Sequence, residues 1–207
     1  MTLKDAVNPD AKLSKGDRTR ALIRRVARQI FTEREDSSSP MDEIALRAGI
    51  SRATVYSHYP NRDAILFALL EQDWAHQAQH YREFVASPVI DIATVRKWIL
   101  REAAMQRGGN KCLRLYSILM GQNRDAFERQ VQNRDKLIEI LGSRFEPFRI
   151  GDPALVEERE RRMAAILMMF QIEQFCAHCA HIHAVGDVRI GADVLASKFL
   201  SFVEGAN

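Results

Sequence analysis

Apolar residues recur along most of this chain at the three- and four-residue spacing of amphipathic helices. The first segment of this kind predicts one buried face formed by Ile23, Val26, Ala27, Ile30 and Phe31. Helical spacing continues over residues 61–81, 92–106, 112–120, 124–145, 154–183 and 192–203, and glycine or proline marks several of the ends. No alternating strand pattern of useful length appears, so the sequence predicts an all-α fold.

Residues 40–62, PMDEIALRAGISRATVYSHYPNR, carry the most specific local pattern. Residues 40–48 fit a short helix with Ser39 as its N-cap, and Asp42 is placed to close a variant of the capping box. Gly49 ends this helix, because only glycine takes a left-handed conformation without a steric penalty.

A second short helix follows a turn of only three residues. Ser51 can cap this helix, which we expect to run from Arg52 to about Tyr59. Its side chains form an exposed row, and the first helix presents apolar residues to it. Two short helices, a tight turn containing glycine and an exposed second helix are typical of a helix-turn-helix.

The stretch from Arg18 to Leu70 resembles the DNA-binding domain of TetR-family transcriptional regulators. The matching parts are Phe31, the turn Ile44-Ala45…Ala48-Gly49-Ile50-Ser51, the triplet Thr54-Val55-Tyr56 and the hinge Tyr59-Pro60-Asn61-Arg62. The loop after the first helix lacks the family's usual glycine. Tyr59 and Arg62 stand where phenylalanine and lysine are usual, which keeps the aromatic and cationic character.

The resemblance implies an all-α protein with two domains. The first would be a three-helix helix-turn-helix DNA-binding domain, and the second a helical ligand-binding and dimerisation domain. The expected boundaries are a flexible N-terminal arm at 1–16, the DNA-binding domain at 17–62 and the effector-binding and dimerisation domain at 63–207. The absence of helical periodicity in the first residues fits such an arm.

Composition excludes several classes of protein. The chain is 46% hydrophobic and 28% charged, as globular proteins are. No apolar run approaches the ~20 residues that span a membrane, and the polar N-terminus lacks a signal-peptide core. Three cysteines without a framework spacing argue against a secreted disulfide scaffold. We therefore expect a cytoplasmic protein with no membrane partner.

Charge is distributed unevenly along the chain. The net charge is +3, and residues 1–62 carry 12 Lys and Arg against 8 Asp and Glu, so the remaining residues sum to −1. The basic excess lies with the predicted helix-turn-helix, where neutralisation of DNA phosphates requires it.

The second helix of the motif supplies the predicted DNA contacts. The contact residues are Arg52, Ala53, Thr54, Tyr56, His58 and Arg62. Arg52 opens the helix, and arginine can pair with guanine O6 and N7 in a bidentate manner. Ala53 and Thr54 offer methyl groups to thymine. By resemblance, Tyr56 binds phosphate and Arg62 is a phosphate clamp at the start of the next helix.

The resemblance also implies a small-molecule effector inside the C-terminal domain. The candidate lining residues are Trp74, Trp98, Met105, Tyr116, Met120, Phe127 and Phe170. Each of them also fits an ordinary core position, because helical bundles bury aromatic residues and methionines at this spacing. The methionine content favours an apolar or aromatic effector.

The last two helices carry the features of an assembly surface. Residues 163–175 are apolar around most of the helix circumference, which a surface helix does not tolerate. Two helices from each of two subunits would form the four-helix interface that TetR-like proteins use. A two-fold dimer would place two recognition helices one DNA turn apart, ~34–36 Å. A monomeric bundle with a well-buried penultimate helix is the alternative.

Cys176, Cys179 and His183 suggest a different function. They share one helix face, so sulfur and imidazole ligands could hold a zinc-like or copper-like ion, or the Cys-x-x-Cys could be oxidised. The alternative is that the cysteines pack as small hydrophobic residues. A metal- or redox-responsive sensor is therefore the second hypothesis for this chain.

The motifs of common enzymes are missing from the sequence. It contains no G-x-x-x-x-G-K-[ST], no G-x-G-x-x-G, no G-x-S-x-G and no H-E-x-x-H. We therefore expect neither catalysis nor a bound cofactor.

Overall fold

The computed structural model describes residues 14–33, 40–108, 110–179 and 185–205, and over these ranges the fold is helical, as predicted. The helices are α1 (Lys15–Glu33), α2 (Pro40–Ala48), α3 (Arg52–His58), α4 (Arg62–Val85), α5 (Ile92–Gly108), α6 (Asn110–Gln122), α7 (Arg124–Gly142), α8 (Val156–Cys179) and α9 (Val185–Glu204), with a short 3-10 helix at Glu146–Phe148. None of the described helices is long and apolar enough to cross a membrane.

The chain divides into two compact units, Met1–Leu70 and Glu71–Asn207. The division falls inside α4. The first turns of α4 belong to the first unit, because Ile65 and Leu69 are fully buried and Arg28 of α1 donates a hydrogen bond to the carbonyl oxygen of Leu69 (3.4 Å).

The first unit is built around α1. The five apolar residues predicted to form its buried face are all buried. The helix begins at Lys15, two residues earlier than expected, because Ser14 is its N-cap: the Ser14 hydroxyl accepts the Asp17 N–H (3.1 Å). The Ser-x-x-Asp spacing that carries this cap was present in the sequence. Most of the predicted N-terminal arm lies outside the described residues.

The second unit has an aromatic core. Trp98 of α5 stacks on Phe84 of α4, with ring centroids 4.2 Å apart and an interplanar angle of 7°. Phe199 of α9 packs against both rings and against Phe145, so α4, α5 and α9 meet at one place. Helix α5 packs on both α8 and α9.

Helix α9 starts seven residues before the predicted start at Ala192. Val188 and Ala192 are both buried, so the apolar face continues towards the N-terminus of the helix. Gly191 lies within this face, and a Cβ at that position would overlap the Phe175 ring of α8. The absence of a side chain at Gly191 therefore allows α8 and α9 to approach closely.

Candidate functional site

The predicted helix-turn-helix is formed as the sequence indicates. Gly49 has φ 65° in the left-handed region, and Ile50 N–H donates to the Ala45 carbonyl oxygen (3.1 Å), which closes the turn. The Ser51 hydroxyl accepts the Thr54 N–H (3.0 Å) and so caps α3. Both local features follow from residue type, and the turn sets the direction in which α3 leaves α2.

Helix α3 presents the predicted row to solvent. Arg52, Ala53 and Tyr56 are exposed, and Thr54 and His58 are half-buried. Val55 faces the opposite side and is fully buried. The row therefore lies on one outward face of a short helix, in the manner that a major-groove reader requires.

Arg52 pairs with Asp42, which the sequence analysis assigned to the cap of α2. Its Nε lies 2.7 Å from Asp42 Oδ1. Asp42 was expected to serve the cap of α2 with Ser39, which lies outside the described residues. The side chains of Arg52 and Asp42 are 65% and 43% exposed, and ion pairs of this exposure contribute only ~0–1 kcal/mol. Arg52 can therefore exchange this carboxylate for a base or a phosphate at little cost.

Arg62 occupies a different environment from the exposed row. Its guanidinium carbon lies 5.7 Å from the centroid of the Phe31 ring, and the side chain is half-buried. Asn61, which precedes Arg62, caps the N-terminus of α4, because its side-chain oxygen accepts the Ala64 N–H (2.9 Å). Phe31 and Asn61, two residues of the matching motif, thus hold Arg62 at the N-terminus of α4.

Arg24 contributes to the site in a way that the sequence did not reveal. Helical spacing alone favours a solvated face for the arginines of α1, yet Arg24 donates a hydrogen bond to the Tyr59 hydroxyl (3.0 Å). Tyr59 is 7% exposed and follows α3 directly. Tyrosine in place of the family's usual phenylalanine supplies the acceptor for this bond, which ties α1 to the end of α3.

The seven residues suggested as an effector lining do not share one environment. Trp98 and Tyr116 are buried, Trp74 and Met120 are half-buried, and Met105, Phe127 and Phe170 are exposed. Phe170 lies under the Arg134 guanidinium, 4.4 Å from ring centroid to carbon. Helical spacing identifies a helix face but not the neighbour that covers it, so inner and outer positions were grouped together.

A buried polar cluster in the second unit was missed. Glu102 of α5 is 2% exposed, and Gln77 of α4 donates to its Oε1 (2.6 Å) while accepting a hydrogen bond from Asn133 of α7 (3.2 Å). Burial raises the pKa of Glu102 to about 7, against the opposing effect of hydrogen bonds from Gln77 and Gln106. The only sequence signal was one carboxylate in the apolar stretch WILREAAM.

The suggested Cys/His cluster is only partly described, because His183 lies outside the described residues. Cys176 and Cys179 are both fully buried. Burial raises the pKa of the Cys176 thiol, and its Sγ lies 3.8 Å from the Ile99 carbonyl oxygen. A thiol of this kind is a poor metal ligand and a poor nucleophile. Within the described ranges, no three His, Cys, Asp or Glu side chains are arranged to hold a metal ion.

Comparison with known proteins places these features in a family. Residues 23–69 match the family model described as "Bacterial regulatory proteins, tetR family". An uncharacterized HTH-type transcriptional regulator of Mycobacterium tuberculosis, Rv1255c, is 27% identical over 148 residues, which are 70% of this chain and 71% of the relative.

Solved structures share the fold along nearly the whole chain. Salmonella enterica GusR superposes with a TM-score of 0.67 at 21% identity, covering 93% of this chain and 99% of GusR. Pseudomonas aeruginosa NalD, the secondary repressor of the MexAB-OprM multidrug efflux pump, gives 0.59 at 20% identity, covering 92% and 98%. Thermus thermophilus FadR, a repressor solved with lauroyl-CoA, gives 0.57 at 21% identity, covering 90% and 94%.

Proposed function

Because this chain is a transcriptional regulator of the TetR family, which is not a family of enzymes, we propose that it acts as a homodimeric repressor in the cytoplasm. It binds a palindromic operator through α3 and leaves that operator when a small-molecule effector binds the second unit. The observation that carries the DNA-binding part is the capped helix α3 with Arg52, Ala53 and Tyr56 on its outward face.

The division of labour along this face follows from position. Arg52 is the first residue of α3, where side chains reach base edges, and its ion pair with Asp42 is weak enough to exchange. Arg62 lies at the N-terminus of α4, half-buried against Phe31, and its position suits a phosphate and not a base. We therefore assign sequence reading to Arg52 and general phosphate binding to Arg62.

Dimerisation through α8 and α9 is supported by apolar residues that the single chain leaves uncovered. Met163, Leu167 and Phe170 are exposed along α8 at a spacing of four and three residues, and Ile190 and Val194 are exposed on α9. Large exposed apolar residues on two neighbouring helices mark an interaction surface. A second copy of the same surface is the partner that a palindromic operator requires.

Release of the operator on effector binding is supported by the continuity of α4. This uninterrupted helix carries Arg62 at one end and, about four turns later, Gln77 of the buried polar cluster around Glu102. A ligand that binds the second unit more tightly in one state of α4 shifts the population of that state and lowers operator affinity. Relatives support a small-molecule effector, since FadR was solved with lauroyl-CoA.

Selection of bound sequences from a random duplex library tests this proposal. The wild-type chain should enrich an inverted repeat. Arg52→Ala should cost ~1–3 kcal/mol on that repeat and relax one base position in each half-site. Arg62→Ala should weaken all sequences equally and reduce the slope of log K against log salt by about 1.

Arg124→Ala is the matched control, because Arg124 is an exposed arginine of the second unit. It should leave both the selected sequence and the salt slope unchanged. Failure of the wild type to enrich any repeat would contradict the proposed function. Identical effects of Arg52→Ala and Arg62→Ala on all sequences would contradict the division between base and phosphate contacts.

A further inference from the structure

Four buried polar atoms around Glu102 have no hydrogen-bond partner. They are Glu102 Oε2, His80 Nδ1, Tyr81 Oη and Trp98 Nε1, on side chains that are between 0% and 4% exposed. No described residue satisfies any of them. Buried polar groups in native proteins are nearly always paired, and an unpaired one is costly. Three of the four can accept a hydrogen bond (Glu102 Oε2, His80 Nδ1 and Tyr81 Oη), and Trp98 Nε1 alone must donate, so the cluster is evidence for a donor-bearing group that binds there.

The free oxygen of Glu102 is also without a counter-charge. The nearest base is His80, whose Nε2 lies 4.0 Å from Glu102 Oε2. That Nε2 carries a proton, because it lies 3.1 Å from the Trp98 carbonyl oxygen, which can only accept. Burial lowers the pKa of His80, so the ring is neutral near pH 7 and its Nδ1 is a further acceptor.

The remaining charged and titratable groups around Glu102 favour a cation. The negative charge of Glu173 of α8 raises the pKa of Glu102, and burial raises the pKa of Cys176 of α8 and of Tyr81 of α4, so both of these groups stay neutral near pH 7. Arg134 of α7 is held by Glu173 through a bidentate pair (2.7 to 3.2 Å), and Arg101 of α5, whose charge acts on His80, is held by Glu83 (2.7 Å). An anionic ligand would meet an uncompensated carboxylate, whereas a cation would supply the missing charge.

We propose that Glu102 anchors the effector, and that the effector is an organic cation: a protonated amine with N–H donors on an apolar body. This inference rests on the proposed function and names the chemical class of its effector. The ammonium group donates to Glu102 Oε2, and the apolar body packs on Tyr81 and Trp98, whose rings meet edge to face with centroids 5.0 Å apart. The acidic anchor adds a charged group to the apolar or aromatic effector that the sequence favours.

Proton linkage gives this site a recognisable pH dependence. The raised pKa of Glu102, about 7, means that a cation must displace a proton when the pH is below that value. Affinity for a permanently protonated amine should therefore fall by up to tenfold per unit below about pH 7 and level off above it.

Two matched series of small molecules test the proposal on the full chain. The probes are octylammonium, octan-1-ol and octanoate, and 2-phenylethylammonium, 2-phenylethanol and 3-phenylpropanoate. Binding is measured without DNA, by tryptophan fluorescence and thermal shift at pH 8 and pH 6. In at least one series, the cation should bind at least tenfold more tightly than its neutral and anionic counterparts, and it should bind more weakly at pH 6.

Glu102→Gln should abolish this preference, because the amide keeps the shape of the side chain but removes its charge. Glu83→Gln is the control, since Glu83 is an exposed carboxylate of α4 paired with Arg101 (2.7 Å). It should bind the cation as the wild type does. Thermal unfolding of each variant establishes that it is folded.

Two results would overturn the proposal: no preference for either cation by the folded wild type, or an unchanged preference in Glu102→Gln. Both are separate from a failure of the proposed function, because they are measured without an operator. Operator binding is then followed by fluorescence anisotropy. If the wild type binds the cation but never binds an operator, the proposed function as a DNA-binding regulator is wrong. The proposed cation site at Glu102 is then still supported.

Discussion

At the scale of the residue, burial decides which side chains respond to pH. Glu102 is 2% exposed and its pKa rises from an ordinary 4.5 to about 7, chiefly through loss of solvation. The folded chain therefore keeps a proton that the unfolded chain releases between these two values. Stability from this group is fully present below pH 4.5 and is lost as the pH rises through about 7.

Glu102→Gln should remove this dependence. The free energy of unfolding of the wild type, relative to that of the variant, should fall by about 3 kcal/mol between pH 4.5 and pH 8. Urea unfolding at fixed protein concentration measures both chains across this range. The lowered pKa of His80 acts in both chains and cancels in the difference. A difference that does not change with pH would show that Glu102 is ionised throughout.

At the scale of the element, the turn between α2 and α3 depends on one backbone conformation. Gly49 has φ 65°, yet a Cβ at this position would meet nothing within 4 Å. Any cost of a side chain therefore arises from the left-handed backbone itself and not from a clash. The same turn directs α3 outwards, so its geometry matters for DNA binding as well as for stability.

Gly49→Ala should destabilise the chain by ~1–2 kcal/mol and weaken operator binding. Gly121→Ala is the matched control, because Gly121 lies in α6 and its Cβ would also meet nothing within 4 Å. Alanine there should stabilise the helix by ~0.5–1 kcal/mol. Denaturant midpoints for the two variants should thus move in opposite directions. A shift in the same direction would show that the left-handed conformation is not what requires glycine at position 49.

At the scale of the whole molecule, large apolar side chains on α8 and α9 are exposed in the single chain. Leu167 and Val194 are 52% and 54% exposed although both lie on helices that also contribute to the core. A single chain leaves these residues in water, whereas an isologous interface would bury them twice, once in each subunit. A two-fold symmetric dimer would then bind an operator that is an inverted repeat.

Leu167→Arg should weaken dimerisation at least tenfold, which corresponds to about 1.4 kcal/mol, because the substitution places two like charges in the proposed interface. Sedimentation at several protein concentrations measures the change, and operator affinity should fall with it. Val89→Arg is the control, since Val89 is equally exposed but lies between α4 and α5. A dimer that persists in Leu167→Arg would place the interface elsewhere.

Several features were predicted from the sequence because they depend only on neighbours along the chain. The buried face of α1 follows from helical periodicity, the left-handed Gly49 from its missing Cβ, and the Ser51 cap from its hydroxyl. The outward row of α3 follows from the same local geometry. These features, together with the motif that spans them, sufficed to identify the fold and the family.

Other features depend on residues that are distant in sequence, and only the tertiary structure decided them. Three of them require knowledge of which helix lies opposite. These are the pairing of Arg52 with Asp42, the hydrogen bond from Arg24 to Tyr59 and the early start of α9. Glu102 is the strongest case. Its environment is assembled from α4, α5, α7 and α8, and its charge state is a property of that enclosure, because solvation is lost only when the helices come together.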